Sequence, residues 1–359
     1  MIINGLGVAL PSKLIDNEEI CDLIKYYTLD LSKQELNNTL LNVRNFFQYV
    51  GAKTRSWLAK NEEPIDLITC AFEKSLNLKQ LSHNEIDVVI YCSIHRAVIE
   101  PSSASIVCKW LGLNPKLCFD IVDACMGWAT AAEIANTLIK VKGYEHVLII
   151  TSEFPNNEGG ALIPGCYTLS SVSDLQNKIA GFTMGEAATA TIISKDENNS
   201  GWECVRTEFP EHSKLCYVPL HGFKRYFHDT NSDMTTFHAE MSKLASVGYK
   251  PSCENVQKYI SVYGKPDVVI PHSVSEVFPK KIAKKLNIDI QIHNTFSKYG
   301  NLATSSVPVS LDNGIKTKTI LSNNHIVGVI SSAGMKFSTF RLNCNKELFI
   351  YENNQNKLQ

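Results

Sequence analysis

The 359-residue chain has no surplus of either charge: 35 Lys and Arg stand against 36 Asp and Glu, for a formal net charge of -1 and a pI near 6.8. A chain without a basic excess is not built to neutralise a phosphate backbone, so nucleic acid is not an expected partner. No apolar run reaches the roughly 18 residues that a spanning helix needs, so no membrane association is expected. The opening residues, Met1 to Pro11, contain no basic segment, and Gly5 and Gly7 interrupt their apolar stretch, so a secretory leader is not expected. There is no Cys-x-x-Cys pair among the 11 cysteines, whose number is odd and whose spacing is irregular. This pattern predicts reduced thiols, a cytoplasmic location and no zinc or iron–sulfur centre.

What is present is a chain 44% hydrophobic, long enough for two domains or two intimately packed halves. Short Val/Ile-rich runs recur: Asp87-Val88-Val89-Ile90, Val147-Leu148-Ile149-Ile150, Asp267-Val268-Val269-Ile270 and Ile326-Val327-Gly328-Val329-Ile330. Near-continuous apolar runs of this length suit strands buried on both faces. Helical patterns lie between them, over Ile65 to Leu76, Trp128 to Val141 and Pro279 to Leu286, which predicts an α/β fold.

Two segments return in order. IDVVIYCS from Ile86 echoes PDVVIPHS from Pro266, and GWATAAEIA from Gly127 echoes NLATSSVPV from Asn301. Nearly equal offsets point to a duplicated α/β unit; the alternative is that strand-then-helix segments share composition. Duplication divides the chain into 1–195 and 196–359, with the polar run 195–200 as the connecting loop. The tail 353–359 is polar and expected to fray. The stretch 208–233, with Phe209, Tyr217, Phe223, Tyr226 and Phe227, reads as an ordered excursion over the core, and 159–174 as loops without a readable code.

The echoed segments carry the reactive side chains. Cys125 stands where an apolar strand ends and a helix of small residues begins, so the helix dipole and free backbone N–H groups are expected to favour its thiolate. The same N–H groups can hold an oxyanion, and Gly127 leaves room for a substrate. The plainer reading is a structural cysteine. His272 ends the strand of the second half, and Asn301 follows Tyr299-Gly300 at the opening of the echoed helix. Taken singly, they are a satisfied histidine and a helix N-cap. Packed about a pseudo-twofold axis, the three face one cavity.

In these motifs the chain resembles the β-ketoacyl-(acyl carrier protein) synthases of the third type, in the thiolase superfamily. The likeness runs from GLGVALP at Gly5 and GAKTRSWLA at Gly51 to ISSAGMKF at Ile330. DACMG places Cys125 at the nucleophile position, PHSVSEVF places His272 and KYGNLATSSVP places Asn301 at the partner positions, and GFTMGEAATA from Gly181 matches a segment near the dimer core. The resemblance implies a five-layered α-β-α-β-α thiolase fold, a homodimer, and no bound cofactor, the substrates arriving as coenzyme A or acyl-carrier-protein thioesters. It implies a ping-pong cycle: Cys125 is acylated, then a malonyl-type extender is decarboxylated while His272 and Asn301 donate to its thioester carbonyl. The acyl oxyanion would rest on the backbone N–H groups of Cys125 and Ala333, the latter in a turn whose glycines are reduced to Gly334.

Departures from the pattern bear on the donor. Val277 replaces an arginine that holds pantetheine, and Phe47 and Tyr49 occupy roughly the places of a coenzyme A grip. These changes suit a bulkier or carrier-bound acyl donor of specialised metabolism. Glu100, in VIEPSSAS, resembles the glutamate of enzymes that join two acyl chains head to head, which reaches the partner subunit's cavity and acts there as the base; the alternative is a solvated or helix-capping carboxylate. Lys280, Lys281, Lys284 and Lys285, at helical spacing, match a surface that docks acidic carrier proteins, or form a solvated helix face. The expected activity is condensation of two acyl thioesters. The alternatives are transfer of the Cys125 acyl group to an oxygen, nitrogen or sulfur nucleophile, head-to-head condensation through Glu100, and a non-catalytic partner subunit, against which the intact Cys125 counts.

Overall fold

The apolar runs at Val88, Val147 and Ile326 lie in strands whose alternate side chains enter two different cores, and the run at Val268 places Val268 and Ile270 in one of them. The computed structural model describes residues 1–77, 81–157, 160–196, 201–220, 236–272 and 274–350. The first half contains β1 (Ile2–Ala9), β2 (Lys13–Asp16), α1 (Asn17–Tyr27), α2 (Lys33–Val50), β3 (Thr54–Trp57), α3 (Pro64–Asn77) and β4 (Val88–Cys92). It continues through α4 (Ser103–Trp110), β5 (Leu117–Ile121), α5 (Gly127–Lys142), β6 (His146–Glu153), α6 (Leu175–Lys178) and β7 (Ala187–Ser194). After it come β8 (Cys204–Glu208), β9 (Cys216–Tyr217), β10 (His238–Ala239), α7 (Met241–Tyr263), β11 (Val268–Pro271) and α8 (Val277–Leu286). The order ends with β12 (Gln291–Ile292), α9 (Phe296–Tyr299), α10 (Ser306–Lys316), β13 (Ile326–Ser332) and β14 (Lys336–Arg341).

Two five-stranded sheets result, β1-β7-β6-β4-β5 and β8-β14-β13-β11-β12. In each, read from the same end, two antiparallel pairings are followed by two parallel ones. β4 and β11 hold equivalent places, and they are the strands of the echoed IDVVIYCS and PDVVIPHS. The echo in the sequence is thus a repeat of topology.

Val88, Ile90 and Cys92 of β4 face a central core that also takes Val268 and Ile270 of β11 and Ile326 and Ile330 of β13. Between the sheets lie α5, with Trp128, Ala131, Ala132 and Ala135, and α10, with Val307, Leu311 and Ile315. A helix packed on both sides must be narrow, which explains the run of alanines on α5. Val89 and Tyr91 point the other way, against α3 and α4, while Val205, Val327 and Val329 meet α7 and α8. The stack is α-β-α-β-α, the five-layered thiolase fold that the resemblance implies. Each fully buried aliphatic side chain contributes about 1.5–3 kcal/mol, so the doubly covered strands are the most stable part of the molecule.

A third body of apolar side chains sits over the ends of the central helices. It joins α1, α2 and the β2–β3 ribbon to Leu162, Tyr167, Phe182, Phe296 and Ala303, with Cys125 at its margin. Residues 197–200 of the connecting loop, residue 159, the part of the aromatic excursion with Phe223, Tyr226 and Phe227, and the tail 353–359 lie outside the described residues. No helix among the described residues is long and apolar enough to cross a membrane.

Candidate active site

Cys125 stands on a sharp turn between β5 and α5. The turn needs Ala124 in the left-handed region, at φ 45°, and closes with Met126 N–H donating to Asp123 O at 3.0 Å and Gly127 N–H to Ala124 O at 3.1 Å. The Met126 N–H also reaches Ser332 Oγ, at 3.2 Å, on the last residue of β13. Gly127 is closely packed: a Cβ there would lie 3.1 Å from Thr304 Cγ2, tighter than ordinary contact, and 3.5 Å from Cys92 Cβ.

The expectation of a stabilised thiolate is overturned. Burial, with the nearby Cys216 sulfur and the Glu153 carboxylate adding to it, pushes the Cys125 thiol well above the ordinary range. The start of α5 offers a partial positive charge, but removal from water costs the anion more than the dipole returns. The Cys125 side chain is therefore held as a thiol.

His272 directly follows β11 and is 5% exposed. Its backbone N–H donates to Val329 O at 2.7 Å, and its ring Nδ1 lies 2.8 Å from Ser331 O. A carbonyl can only accept, so Nδ1 carries the proton and neutral Nε2 offers a lone pair. Nε2 is buried with no partner meeting hydrogen-bond geometry among the described residues, although Asn301 lies close enough to favour the protonated ring. Desolvation outweighs Ser331 O and Asn301 and lowers the imidazole to about 4.

This shift makes acid stability a test of His272 burial. The folded state holds the proton less tightly than the unfolded chain, whose histidine titrates near 6.5. Above 6.5 both states are neutral and the contribution vanishes; as pH falls from 6.5 through 4 the unfolded chain gains the proton first and folding weakens. Urea unfolding of wild type and His272→Gln should diverge over this window by about 3 kcal/mol, with wild type losing more stability. A constant difference across the window would show that the ring protonates in place without penalty.

Asn301 does not open α10, which begins five residues later. It lies in an extended segment against 183–185: its N–H donates to Thr183 O at 2.7 Å and its carbonyl accepts from Gly185 N–H at 2.9 Å. Its Oδ1 accepts the Ala303 N–H at 3.0 Å, leaving Nδ2 as the outward donor. The helix starts late because Ala303 takes φ 47° and Pro308, lacking an N–H, falls in the first turn. Gly300 adopts φ 77° and ψ -166°, a region open essentially to glycine, and an added Cβ would lie 2.5 Å from Thr183 O. Gly300→Ala should destabilise the protein by on the order of 3 kcal/mol and displace Asn301, read as a lower thermal midpoint together with lost turnover. An unshifted midpoint would mean that the turn relaxes freely.

The Cys125 turn and His272 both reach the end of β13. The Cys125 turn is hydrogen-bonded to Ser332, His272 to Ser331, and Asn301 lies against His272. Ala333 follows in the β13–β14 turn, before Gly334 at φ 124°. Glu100 is exposed on the loop before α4. The four lysines of α8 are exposed; Lys280 pairs with Glu276 at 3.6 Å and Lys281 donates to Tyr49 Oη at 2.9 Å, whereas Lys284 and Lys285 have no such partner among the described residues. Phe47 is fully buried with the Arg55 guanidinium 4.5 Å from its ring, which makes it core and not part of a donor grip.

Sequence reading passed over Glu153. Wholly buried at the end of β6, its carboxylate accepts from the Ile94 N–H at 3.1 Å and Thr304 Oγ1 at 2.6 Å, and pairs with His95 Nδ1 at 2.8 Å. It thereby ties the end of β4 to the turn that bears Asn301. A Glu ending an apolar strand was its one visible signal.

Comparison with known proteins gives a consistent picture. Residues 264–343 match the family described as 3-oxoacyl-acyl-carrier-protein (ACP) synthase III C terminal. A β-ketoacyl-acyl-carrier-protein synthase III of Wolbachia pipientis is 25% identical over 346 residues, covering 95% of this chain and 98% of the relative. That of Aquifex aeolicus is 24% identical over 351 residues, with the same coverages. A glutamate-to-alanine variant of OleA from Xanthomonas campestris superposes with a TM-score of 0.80 at 19% identity, over 95% of this chain and 97% of that one. A cysteine-to-serine variant, solved with lauric acid and lauroyl-CoA, gives 0.79 at 19% identity, over 95% and 98%. At that identity the superpositions establish the fold.

Proposed function

We propose that this β-ketoacyl synthase III-like condensing enzyme of the thiolase superfamily works through an acyl group carried on Cys125. The observation that carries the reading is that the Cys125 turn and His272 are hydrogen-bonded to adjacent residues at the end of β13, Ser332 and Ser331, with Asn301 beside His272. In the first stage His272 Nε2 accepts the thiol proton. The thiolate attacks the donor thioester, the new C–S bond forms, the donor C–S bond breaks, and the departing thiol leaves with that proton. The backbone N–H groups of Cys125 and Ala333 hold the oxyanion.

In the second stage a malonyl-type thioester loses carbon dioxide. Asn301 Nδ2 donates to the enolate oxygen, and the enolate carbon attacks the acyl carbonyl, releasing Cys125. His272 can donate there only when Nε2 is protonated, a state that the substrate carboxylate favours by its charge. The burial of Phe47 and the absence of an arginine at Val277 support a donor bulkier than acetyl-CoA or one held on a carrier. Exposed Lys284 and Lys285 support an acidic carrier protein. A homodimer in the cytoplasm is part of the same reading.

Incubation with a series of acyl-CoA thioesters and then malonyl-carrier protein should release carbon dioxide and a β-ketoacyl product. Acyl transfer to a hydroxyl or amine without malonyl consumption would overturn condensation.

A further inference from the structure

Asp123 precedes the nucleophile by two residues, and Lys336 opens β14 on the far side of the Ala333-Gly334 turn. Lys336 Nζ and Asp123 Oδ1 form a close ion pair. The other carboxylate oxygen accepts from Thr130 Oγ1 at 2.6 Å and Arg206 Nη2 at 3.0 Å. Arg206 in turn donates through Nη1 to Thr130 Oγ1 at 3.0 Å and through Nε to Glu208 at 2.8 Å. One carboxylate at the nucleophile turn is thus held from α5, β8 and β14 together. Asp123 is 13% and Lys336 25% exposed, so this is a part-sheltered network, worth more than a surface pair.

We propose that Asp123 and Lys336 are positioning residues, a latch that fixes the spacing between the backbone N–H groups of Cys125 and Ala333. The inference rests on the reading of Cys125 as nucleophile. Those two N–H groups belong to separate turns leaving separate sheets, each with a residue at positive φ, Ala124 at 45° and Gly334 at 124°. Ladder hydrogen bonds within either sheet do not set their separation. Among the described residues, the Met126 N–H to Ser332 Oγ contact and the Asp123–Lys336 pair both crosslink the two turns. An oxyanion site acts only when its donors are already in place, so loosening one of two crosslinks weakens stabilisation of developing charge more than it weakens substrate binding. Removing Lys336 alone also leaves the Asp123 carboxylate less neutralised beside that charge.

Lys336→Met, Asp123→Asn, the double variant and Lys336→Arg are compared by the rate of acylation of Cys125, by the split between kcat and KM, and by hydrogen exchange of 123–127 and 331–336 in the free protein. Lys336→Met should lower kcat about 10- to 100-fold with KM changed less than about threefold. Lys336→Arg should recover most of the rate, and the double variant should lose less than the product of the two single losses. Exchange should rise in both turns together. A lowered melting point with kcat intact, or unchanged exchange in both segments, would reduce the pair to a structural ion pair. Failure of wild type to acylate Cys125 would refute the nucleophile instead, and the exchange measurement would still decide the latch.

Discussion

Cys125→Ala should take up no acyl group from any thioester, and its condensation rate should fall by at least ~10,000-fold. Intact-mass measurement on wild type should show one added acyl group, located by peptide mapping on Cys125. The informative competitor is Cys216, a β9 cysteine close enough to influence the Cys125 thiol. Burial pushes its own thiol up to about 12. Both sulfurs are thus held protonated, and the proposed cycle distinguishes them by access to a base and to oxyanion donors, which it assigns to Cys125. Acyl label on Cys216, or retained in Cys125→Ala, would remove the nucleophile assignment and the cycle built on it.

His272→Ala should separate the two stages. Acylation persists at a reduced rate, because water can carry the thiol proton away, while condensation falls roughly 100- to 10,000-fold with the loss of a positioned proton carrier. Asn301 retains its outward Nδ2 in that variant, so the residual rate measures what the carboxamide contributes alone. The wild-type acylation rate should decline as pH drops through about 4, where the imidazole becomes protonated and can no longer accept. Unchanged product formation in His272→Ala would exclude the imidazole from the reaction.

Much of the scaffold could be read from local pattern. The four apolar runs form β4, β6, β11 and β13, and the helical patterns form α3, α5 and α8, each within three residues of the expected limits. The 23-residue α7 was not legible, because Pro251 interrupts its period; its apolar face makes sense only against β8 and β14. Asn301 looked like a helix cap because its motif echoes the start of α5. Local turn chemistry at Ala303 and Pro308 moves the helix start five residues on and leaves the carboxamide pinned to 183–185 instead.

Hydrophobic period and small-residue runs belong to neighbouring residues, so the amino-acid sequence by itself determined the α/β layers and the echo between the strands β4 and β11. The protonation of Cys125, the tautomer of His272 and the partners of Asp123 and Glu153 depend on what is excluded from water and on groups brought from distant parts of the chain. Only the packed structure decided those, because desolvation and hydrogen-bond choice have no counterpart along a single strand of sequence.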